Sequence, residues 1–183
     1  MTDTRRHMNM AAIKGKDTKP EIVVRHELWR RGFRYRMNVR RLPGSPDIVL
    51  AKYRTVIFVN GCFWHGHDLA WGEVVSGGTG VSEVSNSKCC KIPHTNREFW
   101  VQKIVRNHER DLRDRDELHQ LGWNVITIWE CELKPVVRMQ TLQSLLYTLS
   151  QIELSIHGTK REVVPYNFDE EPAMSMVADD SNI

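Results

Sequence analysis

Asp47-Ile48-Val49-Leu50-Ala51-Lys52-Tyr53-Arg54-Thr55-Val56-Ile57-Phe58-Val59-Asn60-Gly61-Cys62-Phe63-Trp64-His65 is the stretch whose reading decides the fold. It holds two apolar, β-branched runs, 47–51 and 55–59, joined by Lys52-Tyr53-Arg54. Runs of this length and composition read as strands buried in a sheet. If both strands are straight, this reading puts Asp47 and Val59 at opposite ends of an antiparallel hairpin. A bend or an offset pairing is then needed to bring them together.

Working upstream, Leu42-Pro43-Gly44-Ser45-Pro46 is a turn, and residues 33–37 are extended. A helix begins near Thr18, with Pro20 in its first turn and Glu21 placed to complete a capping box. Ile22, Val23, Leu28 and Trp29 supply its apolar positions, and Gly32 ends it in the left-handed conformation. Working downstream, residues 61–94 are irregular, and 75–87 are rich in Gly and Ser. A long charged helix follows over 97–121, ending at Gly122, with Phe99, Ile104 and Leu118 as its buried stripe. Residues 123–129 form a third apolar strand. A strand, a helix and a further strand predict a parallel crossover. A last amphipathic helix covers 136–152. The fold class is α/β, a central mixed sheet flanked by helices.

The 183 residues suit one domain, and 40% are hydrophobic, enough for a sizeable core. No apolar run is long enough to span a membrane, and the N-terminus lacks a secretory apolar stretch, so the expected location is the cytoplasm. The net charge is +3, but it is unevenly spread. Six acids and no Lys or Arg lie from Glu162 onward, leaving 26 bases against 17 acids, net +9, in the rest. Such a body suits a polyanionic partner. Residues 1–16 read as a flexible basic arm, 17–155 as the folded domain with an inserted loop at 69–90, and 156–183 as an acidic tail.

Four cysteines, Cys62, Cys89, Cys90 and Cys131, are either metal ligands or inert packing in a reducing compartment. If they are ligands, Cys62 and His67 make a candidate zinc set with Cys131 and either Cys89 or Cys90, three sulfurs and one nitrogen. His65 is a candidate general base or a further ligand. Asp47 either closes a Pro-containing turn or holds a divalent cation at a strand start. Phe63, Trp64 and Trp100 either pack in a core or stack on bases.

These residues, taken in order, resemble the very short patch repair (Vsr) endonucleases from about Met10 to Leu133. The motifs are Asp17-Thr18 with Glu21, Leu42-Pro43-Gly44-Ser45-Pro46-Asp47, Tyr53-Arg54-Thr55-Val56-Ile57-Phe58 and Gly61-Cys62-Phe63-Trp64-His65. Then come Arg97-Glu98-Phe99-Trp100, Asn107-His108-Glu109-Arg110-Asp111, Leu121-Gly122-Trp123 and Trp129-Glu130-Cys131.

The resemblance implies a restriction-endonuclease-like fold with a structural zinc site and a catalytic Mg²⁺. It implies that Asp47 and the Val59 backbone carbonyl hold Mg²⁺, that His65 activates water, and that Glu21 and Asp111 assist. It places Phe63, Trp64 and Trp100 beside a mismatched pair and Met10 in the minor groove. The zinc ligands become Cys62, His67, Cys131 and Cys89, with Cys90 as the alternative, because Leu69 stands where a cysteine is expected. Asn60 stands where a second histidine is usual, and it cannot exchange protons at neutral pH. Glu132-Leu133-Lys134 matches a nuclease motif by letters but follows the wrong strand.

The implied activity is Mg-dependent nicking of one strand beside a thymine–guanine mismatch, which arises when 5-methylcytosine deaminates. The expected partner is mismatched double-stranded DNA, met by a monomer near the nucleoid, with no membrane. Two rivals stand beside it: a restriction-type endonuclease on the same fold, and a zinc-stabilised DNA-binding module without catalysis.

Overall fold

A computed structural model describes residues 15–69 and 88–158. Met10 with most of the basic arm, residues 70–87 of the inserted loop, and the tail beyond 158 lie outside the described residues.

Helix α1 spans Lys19–Arg30. Thr18 and Glu21 form the expected capping box, each side chain meeting the other's backbone N–H. At the other end Gly32, at φ +86°, donates to the Trp29 carbonyl at 3.0 Å, and Phe33 donates to Leu28 at 3.0 Å. This pair of bonds satisfies the last carbonyls of the helix. Val24 and Leu28, four residues apart, define the buried stripe. Ile22 and Trp29 fall off that stripe and are 52% and 58% exposed, against the expectation that both are inward. The Arg34 guanidinium covers the Trp29 ring at 4.1 Å.

Among the described residues four strands follow: β1 (Arg36–Met37), β2 (Ile48–Leu50), β3 (Thr55–Asn60) and β4 (Asn124–Trp129), in the sheet order β1-β2-β3-β4. β1–β2 and β2–β3 are antiparallel, and β3–β4 is parallel. The parallel pair is joined through helix α2 (Arg97–Gln120), so the expected crossover is present. Helix α3 runs over Arg138–Gly158, through the boundary expected between 155 and 156. Among the described residues no helix is long and apolar enough to cross a membrane.

Strand alternation sorts the core into two faces. Ile48, Leu50, Ile57 and Ile128 pack with Val24 and Leu28 of α1 and with Leu142, Leu145 and Leu149 of α3. Val49 and Val56 pack on the other face against Leu118 of α2. In α2, Val101, Ile104 and Leu118 are buried, whereas Phe99 is 52% exposed and does not belong to the buried stripe as expected.

The β2–β3 register corrects the expectation for Asp47. Ile48 pairs with Ile57 and Leu50 with Thr55, so the tight end of the hairpin is the one-turn helix Ala51–Tyr53. The first residue of one strand and the last of the next therefore meet at the open end. No bend is needed to bring Asp47 to Val59. The loop before Asp47 is turned by Gly44, at φ +68°, where a Cβ would meet the Phe58 ring at 3.1 Å and Asp114 at 3.2 Å.

Arg54 ties the hairpin to α2. It donates to the carbonyls of Leu121 at 2.6 Å and Gly122 at 3.1 Å, just past the helix C-terminus. A cation there also meets the negative end of the helix dipole. Arg54→Ala should lower unfolding free energy by about 1–2 kcal/mol, read as a lower urea midpoint at unchanged m-value. An unchanged midpoint would show that this clamp is replaced by water at no cost.

Candidate active site and metal centre

The sheet end that carries Asp47 and the C-termini of β3 and β4 opens into a pocket of about 1100 Å³. Its wall includes Glu21 from α1, Asp47, Val59 and Asn60 from the hairpin, His65 from the following loop, and Asp111 from α2. All five side chains assigned to catalysis by the sequence thus border one cavity. Met10 lies outside the described residues.

Asp47 is half-buried, and its Oδ2 accepts the Val59 backbone N–H at 2.8 Å. Burial pushes its carboxyl up to about 6; the Val59 N–H opposes this and the Glu21 charge adds to it. Its anion is therefore costly without a nearby cation. Glu21 is 3% exposed. Its Oε1 accepts from Thr18 Oγ1 at 2.8 Å and its Oε2 from Arg25 at 3.0 Å. Glu21 both caps the helix and stands on the pocket wall paired with Arg25. Asn60 is 9% exposed at the end of β3, opposite Trp129.

The segment 61–67 is wound into consecutive turns, with His65 N–H to the Gly61 carbonyl at 3.2 Å and His67 N–H to the Cys62 carbonyl at 2.9 Å. It presents alternate side chains to two different places. His65 Nδ1 is hydrogen-bonded to Asp111 Oδ2. In the neutral tautomer that donates Nδ1–H to this carboxylate, the ring lone pair lies on Nε2. Asn107 donates to the Trp64 carbonyl at 2.8 Å and holds the loop against α2.

Cys62, His67, Cys89 and Cys131 converge on the far side of this loop, their ligand atoms all within 4.8 Å of one another. His67 Nδ1 is 3.0 Å from Cys89 Sγ, 3.3 Å from Cys131 Sγ and 3.7 Å from Cys62 Sγ. A tetrahedral site with ordinary zinc–sulfur and zinc–nitrogen bonds has N···S edges of about 3.5 Å. This group can hold a metal ion. Burial raises the Cys62 thiol to about 12 and raises Cys131 as well, a cost that a central dication reverses. The His67 ring stacks on Trp129 at 4.2 Å, which fixes its plane. Cys90 points elsewhere: fully buried, it packs with Leu69, Ile92, Val101 and Ile104. Leu69, at the position where a ligand was expected, is part of that apolar cluster.

Phe63, Trp64 and Trp100 form one aromatic group, with Phe63 5.1 Å from Trp64 and 5.3 Å from Trp100. Trp64 also lines the pocket. Two members escaped the sequence reading. Phe99 extends the group at 5.2 Å from Trp100, and Lys103 lies 5.2 Å over the Trp64 ring. The signal for Phe99 was its position next to Trp100, off the i, i+3, i+4 stripe. Glu130, Asp114, Arg110 and Arg115 also line the pocket and were not anticipated.

Residues 1–71 match the family model described as DNA mismatch endonuclease Vsr. The Type II nicking enzyme V.NmeAIP of Neisseria meningitidis serogroup A is 44% identical over 133 residues, 73% of this chain and 82% of that protein. The DNA mismatch endonuclease Vsr of Escherichia coli (strain K12) is 40% identical over 129 residues, 70% of this chain and 71% of that protein. The Type II nicking enzyme V.XorIIP of Xanthomonas oryzae is 36% identical over 133 residues, 73% of this chain and 85% of that protein. The mixed sheet and its pocket thus belong to a DNA endonuclease, the class these relatives define. The chain belongs to the Vsr family of DNA mismatch endonucleases.

Asp47 gives the site a pH signature. Its folded pKa of about 6 lies above the ordinary unfolded value near 3.9. The folded state therefore holds the proton more tightly, and the cost of the anion grows as pH rises from about 4 and is complete above about 6. Without added magnesium, Asp47→Asn should raise the melting temperature at pH 7.5 by a few degrees. The gain should shrink as pH falls through 6 towards 4. A gain independent of pH would remove the buried anion as its cause.

Proposed function

We propose that this protein nicks one strand of duplex DNA beside a thymine–guanine mismatch, by Mg²⁺-dependent phosphodiester hydrolysis. The observation that carries this reading is His65 held by Asp111 in the same pocket as Asp47. The fold is read as restriction-endonuclease-like on the α/β sheet described above, with 17–155 as the nuclease domain.

His65 Nε2 takes the proton of the attacking water while Asp111 fixes the ring and stabilises the imidazolium. Asp47 and the Val59 carbonyl, hard oxygen donors on the pocket wall, would hold Mg²⁺, with water as the remaining ligands. Such a cation supplies Lewis-acid stabilisation of charge on the phosphate. Glu21, held by Arg25, adds a carboxylate to this wall. Asn60 contributes a hydrogen bond and no proton transfer.

The group Cys62, His67, Cys89 and Cys131 is read as a structural zinc site. It would tether the loop that carries His65 to the end of β4. Phe63, Trp64 and Trp100, with Met10 of the arm, would wedge beside the mismatched pair, which costs less to unstack than a matched one. The names of the relatives support nicking and action at a mismatch: two are nicking enzymes and one is a mismatch endonuclease. A monomer acting on nucleoid DNA in the cytoplasm completes the reading.

The test is nicking of a thymine–guanine duplex against the matched duplex, with and without Mg²⁺. The expected result is one-strand cleavage of the mismatched duplex only, with a 5′-phosphate product. Equal cleavage of both duplexes, on both strands, would establish the restriction-type alternative instead.

A further inference from the structure

Asp17, Glu21, Asp47, Asp111, Asp114 and Glu130 all line the pocket. A DNA strand brings further negative charge to this wall, so the basic residues that meet it matter. Two arginines of α2, Arg110 and Arg115, are among the lining residues. Arg110 is already engaged by Asp111, at 3.3 Å. Its neighbour Arg113 lies 4.0 Å from both Asp114 and Glu117. Arg115 differs. It is half-buried, and among the described residues it forms no ion pair. It reaches across from α2 to β4, where its guanidinium donates to Thr127 Oγ1 at 3.5 Å, a long bond to a neutral hydroxyl. A guanidinium presents five donors in a planar fork that matches a phosphate. One long bond to a hydroxyl leaves most of that capacity unused.

The position along the helix adds a register. Arg115 follows Asp111 by four residues, so the two share a face of α2 about 6 Å apart along its axis. Asp111 holds His65, the base of the proposed reaction. Thr127 stands opposite Phe58 in the β3–β4 ladder, and both line the pocket, so the guanidinium lies on the pocket wall.

We infer that Arg115 is a phosphate-binding residue of this site, holding the phosphate next to the scissile one on the nicked strand. The inference rests on the reading of the pocket as the active site. Arg115 would offset the acidic wall locally and set the strand in line with His65.

The experiment compares wild type, Arg115→Met and Arg115→Lys on a thymine–guanine duplex with Mg²⁺. Arg115→Met should nick roughly tenfold to a hundredfold more slowly at subsaturating DNA, the size expected for a lost charge-assisted bond. The slope of log affinity against log salt should flatten by about 1. Arg115→Lys should recover part of both. A duplex with one neutral methylphosphonate beside the nick should weaken wild type and leave Arg115→Met with little further loss, because the two changes remove the same contact. A wild-type rate and slope in Arg115→Met overturn the inference. So does slower nicking with an unchanged slope and a full methylphosphonate penalty, which assigns Arg115 to bracing α2 on β4. His65→Ala separates the two levels. If it is inactive while Arg115→Met is wild-type, only the Arg115 inference fails. If it nicks at the wild-type rate, the pocket reading fails and takes the inference with it.

Discussion

His65→Ala should lower the single-turnover nicking rate on a thymine–guanine duplex by about 10²–10⁴-fold, the range for loss of a general base. Affinity for the same duplex should change little, because the variant removes neither an arginine nor an aromatic of the DNA-facing surface. The expectation comes from the hydrogen bond between His65 Nδ1 and Asp111, which leaves Nε2 as the nitrogen able to accept a proton. Asp111→Asn should also slow nicking, since an amide can turn its NH₂ towards Nδ1 and favour the opposite tautomer, with Nε2 protonated. Raising pH should not restore either variant. If His65→Ala nicks at the wild-type rate, His65 is a loop residue and the base lies elsewhere. If it loses DNA binding as well as rate, the aromatic loop has moved, and the test must be repeated with His65→Gln.

Removing one ligand of the Cys62, His67, Cys89 and Cys131 group should have the largest effect on stability. Cys131→Ala is expected to reduce bound zinc from about one per chain to none. At a ligand excess of a thousandfold over the dissociation constant, a native-state metal contributes about 4 kcal/mol. In a chain of this size that is a fall of about 8–16 °C in melting temperature. Nicking should fall too, because the loop 61–67 carries both Cys62 and His65, and its turns are closed by only a few backbone bonds. Cys90→Ala is the comparison. Cys90 is fully buried among Leu69, Ile92, Val101 and Ile104, so its loss removes apolar packing and leaves the metal in place. Equal zinc in wild type and Cys131→Ala would exclude the four-ligand site. Loss of zinc in Cys90→Ala would show that the neighbouring sulfur is the ligand.

Much of this molecule is local in origin. The capping box at Thr18 and Glu21, the stop at Gly32, the two β-branched runs and the charged helix over residues 97–120 follow from interactions within a few residues. The segment from Gly61 to His67 is legible only in part: its residue types fit packing as well as chemistry, and the resemblance to a family, not composition, separated the two. Periodicity was less decisive where a side chain is apolar yet faces outward. Ile22, Trp29 and Phe99 face outward, whereas composition marks a residue as apolar without saying which neighbour covers it.

The sequence by itself determined the element types, the crossover and the set of chemical groups. Only the tertiary structure decided how those groups combine. Asp47 meets Val59 because an antiparallel register joins the open end of a hairpin, a fact of pairing rather than of either strand. Cys89 faces His67 while Cys90 turns into the core at a bend in the chain, where burial among apolar neighbours selects Cys90 for the interior. Arg115 reaches the pocket because α2 crosses β4 where Thr127 can receive it. Each of these contacts joins residues 12 or more apart in sequence, or depends on such a contact, and local propensity carries no information at that range.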